Sequence, residues 1–200
     1  MSTIILLLIT GLGLGALYFL VASGLSLIYG LMGVLNFAHG SFLTLGAFAG
    51  WELARRMDGS SWGTLIASLV LGMAVGAFVA AATEFLLIRR LYNRHIEQVL
   101  VTVGLALASV ALFEGIWGTD AIYVTAPEWF SQTTEILGAR VPNDRFLMIG
   151  AAVFVLLGII AFLRYTRFGL IIRAGVENRS MVTALGIDVR KAFTVVFAIG

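Results

Sequence analysis

From Ser2 to Trp51 the chain carries no Asp, Glu, Lys or Arg. A continuous helix of that length would measure about 75 Å, at 1.5 Å per residue. The hydrocarbon core of a bilayer is only about 30 Å thick. The stretch must therefore turn, and Tyr29-Gly-Leu-Met-Gly33, with two glycines to loosen a helix, marks the expected break. Read this way, the chain has apolar segments at about 4–29, 34–53, 62–88, 96–117 and 146–163. Another begins at 192 and is cut off at Gly200, too short to cross a bilayer. The pattern predicts an all-α, polytopic transmembrane helix bundle, one domain over 1–200, C-terminally truncated.

Composition agrees. Hydrophobic residues make up 60% of the 200 and charged residues 12%, where a soluble domain carries about a quarter charged. The absence of cysteine excludes disulfides and thiolate chemistry. The formal net charge is +2, but where the charges fall is more informative. Arg89, Arg90 and Arg94 share one short loop, and Arg164, Arg167, Arg173, Arg179, Arg190 and Lys191 share another. Basic loops face the cytoplasm, so 89–95 and 164–191 are expected inside and 118–145 outside. Loop 54–61 then falls outside, against the rule, because it holds Arg55 and Arg56; Glu52 and Asp58 soften the conflict. If both of the first two segments cross, the N-terminus is also outside. Charge confined to loops in this way argues for topology, not nucleic-acid binding. The first basic residue is Arg55, so no basic region precedes the first apolar run as in a secretory leader. Tyr123, Trp129 and Phe130 in the outer loop suit a membrane interface.

Small residues recur every fourth position at Ser68, Gly72, Gly76 and Ala80, at Gly11 and Gly15, and at Gly46 and Gly50. Such stripes let helices approach closely in lipid. Asn36 and His39, three apart, would share a helical face, with Gly40 alongside. They could hydrogen-bond neighbouring helices or line a substrate path, and the sequence leaves both open. Glu114 lies near the outer end of its segment, where it could reach the interface or an outer gate. Glu84 lies near Arg89 and Arg90 and reads as a boundary residue. The chain has two histidines, and the second, His95, lies in a cytoplasmic loop, so no metal site is expected. Val176, Met181, Val182 and Leu185 form an apolar stripe on a short helix that Gly186 would end. An exposed amphipathic helix this short suits docking into a partner's groove. Asn178-Arg-Ser180 matches a glycosylation sequon, but on the cytoplasmic side it is a chance match.

Three stretches carry a resemblance. Leu31-Met-Gly-Val-Leu-Asn-Phe-Ala-His-Gly-Ser-Phe-Leu-Thr-Leu-Gly-Ala-Phe48 resembles a segment of the permeases of high-affinity branched-chain amino acid ABC transporters, with Leu35 to Gly40 similar to the H-type. Val99 to Leu107 and Trp117-Gly-Thr-Asp120 look like the same family. Phe168 to Arg179, followed by Ala184-Leu-Gly-Ile-Asp188, resembles its cytoplasmic coupling loop. The resemblance implies a transport subunit, not an enzyme, in a bacterial inner membrane. It implies a second permease subunit, two cytoplasmic ATP-binding subunits and a periplasmic substrate-binding protein. ATP and Mg would sit on the partner ATPases, with no cofactor in this chain. Arg173, Ala174, Glu177, Asn178, Ala184, Leu185 and Gly186 would couple to the ATPase, and Asn36, His39, Gly40 and Glu114 are candidates for the pathway. Relatives that carry urea, short amides or other amino acids leave the substrate open. An ATP-independent channel or secondary transporter is the rival reading, but such carriers usually bury paired charges near the midplane. An intramembrane enzyme is remote, because Ser41 and His39 would point to different helix faces.

Overall fold

A computed structural model describes residues 2–57, 59–92, 94–186 and 189–200. Asp58, and Ile187 and Asp188 of the motif above, lie outside the described residues. The elements are α1 (Ser2–Met32), α2 (His39–Arg56), α3 (Trp62–Leu86), α4 (His95–Trp117), a hairpin of β1 (Thr133–Ile136) and β2 (Ala139–Pro142), α5 (Asn143–Tyr165), α6 (Arg167–Glu177), α7 (Arg179–Ala184) and α8 (Val189–Ile199). Short 3-10 turns precede α4 and the hairpin, at Ile88–Leu91 and Glu128–Phe130. Among the described residues four helices, α1, α3, α4 and α5, are long and apolar enough to cross a membrane. Their apolar side chains, such as Leu8, Phe78, Leu107 and Phe154, point outward as lipid-facing residues do.

The first apolar stretch breaks where two local devices act together. Gly33 takes a left-handed conformation (φ 66°), and its N–H reaches the Tyr29 carbonyl at 2.9 Å, ending α1. Asn36 then turns its side-chain oxygen onto the Ala38 N–H (3.1 Å), a local bond that competes with helix. Residues 33–38 stay non-helical and α2 starts at His39, five residues later than the expected 34. Further along, Ser61 caps α3 by accepting from Thr64 N at 3.2 Å. The stretch 164–191, expected as a cytoplasmic loop holding one short helix, carries the end of α5, two helices, α6 and α7, and the start of α8. Thr166 caps α6, and Asn178 caps α7. The hairpin was not expected. It turns at Leu137 and Gly138, both with positive φ (51° and 79°), the pairing a two-residue type I′ turn needs.

Packing fixes which ends lie together. A β-carbon at Gly46 would stand 2.7 Å from the Gly72 carbonyl oxygen, and one at Gly50 would stand 2.8 Å from that of Ser68. As one number rises the other falls, so α2 runs antiparallel against α3 with the two backbones touching. At the far end Trp62 meets Trp129 and Phe130, and Gly59 lies against Thr125. The start of α1 packs on β2. The N-terminal end of α1, the turn after α2 and the 118–142 segment thus lie at one end of the bundle, in line with the charge-based orientation. Arg55 and Arg56 at this end both pair with Glu52, at 2.9 and 2.8 Å. The buried core lies toward the opposite, arginine-rich end. There Ile28, Val34, Ala38, Phe42, Ala80, Ile88 and Phe197 pack together, and Leu27, Ile172, Ala192 and Val196 form a second cluster.

This arrangement makes a topology test direct. Gln132 is exposed in the outer segment, and the chain has no cysteine of its own. A Gln132→Cys variant is expected to react with a membrane-impermeant thiol reagent in intact cells. Labelling that requires lysis would invert the orientation.

Candidate functional site

The break before α2 gathers polar groups inside an apolar bundle. Asn36 is 2% exposed and His39 is 7% exposed. The Asn36 oxygen is fixed by the Ala38 N–H, which leaves its Nδ2 with no partner among the described residues. His39 packs over Gly24 and donates from Nε2 to the Val21 carbonyl on α1 at 3.2 Å. Buried Thr102 on α4 bonds the Leu35 carbonyl (3.5 Å) and its own Val99 carbonyl (3.1 Å). Gly40 is exposed, on the first turn of α2. The expected shared helical face of Asn36 and His39 does not form, because Asn36 lies outside the helix that His39 begins. The two residues are brought into one region by the non-helical stretch instead. Glu114 is not part of this group; it is exposed in the last turn of α4, at the other end of the bundle.

A cavity of about 590 Å³ runs along the seam of α2 and α3 from His39 toward Thr125. Phe42, Gly46, Gly72 and Phe197 give it an apolar wall. Ser68, also on the wall, has a hydroxyl with no hydrogen-bond partner among the described residues. The cavity is mostly apolar, and His39, Ser68 and Thr125 are among its few polar lining residues.

At the arginine-rich end, α6 and α7 present a second surface. Leu170, Val176, Met181 and Leu185 are exposed, and so are Arg173, Ala174, Glu177, Asn178, Ala184 and Gly186. The expected single stripe is divided. Val176 belongs to α6 and the others to α7 and its cap, and Val182 turns inward against Phe193. Gly186 ends α7 as expected, with φ 78° and its N–H on the Thr183 carbonyl at 3.0 Å.

Glu84 is not the boundary residue that its neighbours in sequence suggest. Its side chain is fully buried and bonds neither Arg89 nor Arg90. Its Oε1 accepts from the Tyr92 hydroxyl and its Oε2 from the Thr194 hydroxyl of α8 at 2.7 Å. One partner, Tyr92, lies eight positions on and the other, Thr194, 110 positions away, so the adjacent arginines were the misleading local signal.

Helices long and apolar enough to cross a membrane, a broken second segment and an exposed helical pair at the basic end make this a polytopic membrane protein. The chain belongs to the family described as branched-chain amino acid transport system / permease component, whose model matches residues 7–200. It is 27% identical to the high-affinity branched-chain amino acid transport system permease protein LivH of Escherichia coli K12, over 95% of this chain and 64% of that protein. It is 29% identical to a probable branched-chain amino acid transport permease protein LivH of Methanocaldococcus jannaschii, over 86% of this chain and 55% of that protein. It is 23% identical to BraD, a high-affinity branched-chain amino acid transport system permease protein of Pseudomonas aeruginosa, over 96% of this chain and 66% of that protein. The chain thus spans about two thirds or less of the length of these relatives. No solved structure matches.

Proposed function

We propose that this chain is the membrane-spanning permease subunit of an ATP-driven importer for branched-chain amino acids in a bacterial inner membrane. The observation that carries the reading is the exposed α6–α7 pair on a chain of this permease family. Apolar side chains left exposed on short helices at the basic end have no lipid core to enter, and they suit a protein groove. Two cytoplasmic ATP-binding subunits, holding ATP and Mg, are the partners for that surface. A second permease subunit completes the pathway, and a periplasmic binding protein delivers substrate to the other end. ATP-driven closure of the ATPases displaces α6 and α7 and switches the pathway between outward and inward access.

Asn36, His39 and Gly40 then mark the pathway's narrow, polar point at the helix break. Irregular backbone at membrane depth is tolerated where it is buried in protein or lines a cavity, and both conditions meet here. Glu114, far from this point, serves the outer mouth. The test is uptake of radiolabelled leucine into proteoliposomes that hold the full complex. Asn36→Ala and His39→Ala are expected to lower uptake by about tenfold each while ATPase binding persists. Uptake in the absence of ATP would favour a channel instead. Full uptake by both variants would remove the break from the pathway.

A further inference from the structure

A buried carboxylate that no local sequence feature required sits where three moving parts of such a transporter would meet. Glu84 lies in the last turn of α3 and bonds two hydroxyls from separate elements. Tyr92 comes from the turn that leads into α4, and Thr194 from the second turn of α8. The Tyr92 ring also meets Phe193 of α8 edge-on, with centroids 5.8 Å apart. Phe193 in turn packs with Val182 of α7, the side chain that turns inward from the exposed pair. Met32, the last residue of α1 before the Gly33 break, packs against the same cluster.

The contacts therefore run without a gap from the exposed α6–α7 surface to the pathway. From Val182 they reach Phe193 and Tyr92, and from these they reach Glu84 on α3 and Met32 at the break. Burying a carboxylate is costly unless its oxygens are hydrogen-bonded, and here each oxygen accepts from a hydroxyl. A polar pin at this point fixes direction: two hydrogen bonds to one carboxylate hold α8 and the α4 entry at set distances from α3.

We infer that Glu84 is a positioning residue that transmits displacement of α7 to α3 and to the break before α2. The inference rests on the permease reading above. Val182 and Phe193 carry the push, Tyr92 and Thr194 hand it to Glu84, and α3 carries it along the seam where Gly72 meets Gly46.

The test uses the complex with its ATPase and binding-protein partners in proteoliposomes, and reads substrate moved per ATP hydrolysed. Glu84→Leu is expected to hydrolyse ATP at close to the native rate yet move about tenfold less substrate per ATP, the size of a typical coupling energy. Glu84→Gln keeps the shape and an oxygen acceptor and is expected to restore most of the ratio. Thr194→Val and Tyr92→Phe each remove one hydroxyl and no charge, so they report even if Glu84→Leu fails to assemble. Each should lower the ratio, and the pair together should lower it less than the product of the two, as members of one network do. An unchanged ratio in Thr194→Val, Tyr92→Phe and their double variant overturns the inference. So does a Glu84→Leu complex whose ATPase rate and transport fall in proportion. A native complex that binds no ATPase would instead overturn the permease reading, which separates the two failures.

Discussion

Gly46→Leu is expected to prevent the bundle from assembling, whereas Gly11→Leu is expected to leave it intact. Both glycines lie in apolar helices and both begin a pair of glycines four positions apart. Their surroundings differ. A β-carbon at Gly46 would stand 2.7 Å from the Gly72 carbonyl oxygen and 3.4 Å from its carbon. The obstacle is backbone, so it cannot rotate away as a side chain would. Relief requires α2 and α3 to separate, which also opens the Gly50–Ser68 contact one turn on. Overpacking a close seam costs about 3 kcal/mol or more when the backbone must shift, and in lipid such packing is a main force holding helices together. At Gly11 a β-carbon would meet nothing within 4 Å among the described residues. The check is the yield of monodisperse protein in mild detergent and its thermal midpoint. Native yield from Gly46→Leu would mean that α2 does not lie on α3 in the membrane.

That contrast shows where sequence reading reached and where it stopped. A stripe of small residues says that a close approach is possible but not with what. Two of the three stripes meet each other; the third, at Gly11 and Gly15, meets no described neighbour. Long apolar runs were legible because only a helix can satisfy its own backbone across a bilayer. The start of α2 was not, because Gly33 and Asn36 decide it through one dihedral angle and one side-chain bond. Likewise the hairpin rests on Leu137 adopting positive φ, which its residue type disfavours. In the candidate site, Asn36 and His39 were found by their polarity within an apolar run. Glu84 was misread by the same rule, since a charge beside arginines at the end of a run normally reaches the interface. Its partners come from Tyr92 and from Thr194, and the latter is too distant in sequence to be paired by inspection.

The exposed surface at the basic end yields the other large effect. Gly186→Pro is expected to abolish ATP-driven uptake. Proline fixes φ near −65° and has no N–H, whereas Gly186 has φ 78° and donates to the Thr183 carbonyl at 3.0 Å. The end of α7 must therefore unwind or turn in another direction, and the chain would enter α8 from a different angle. Val182 and Phe193, which meet across this corner, would lose their register. Because that change is also structural, Glu177→Lys is the informative companion. Glu177 is exposed at the C-terminal end of α6, and it forms none of the ion pairs among the described residues. Reversing its charge should leave the thermal midpoint unchanged, and a cation at a helix C-terminus is if anything favourable to the fold. Loss of ATPase co-purification, with affinity down about tenfold as expected for a mismatched charge at an interface, would then report docking alone. If Gly186→Pro fails while Glu177→Lys binds and transports normally, the corner is needed for folding and the ATPase must dock elsewhere. Failure of both, with Glu177→Lys folded, places the docking surface on α6 and α7.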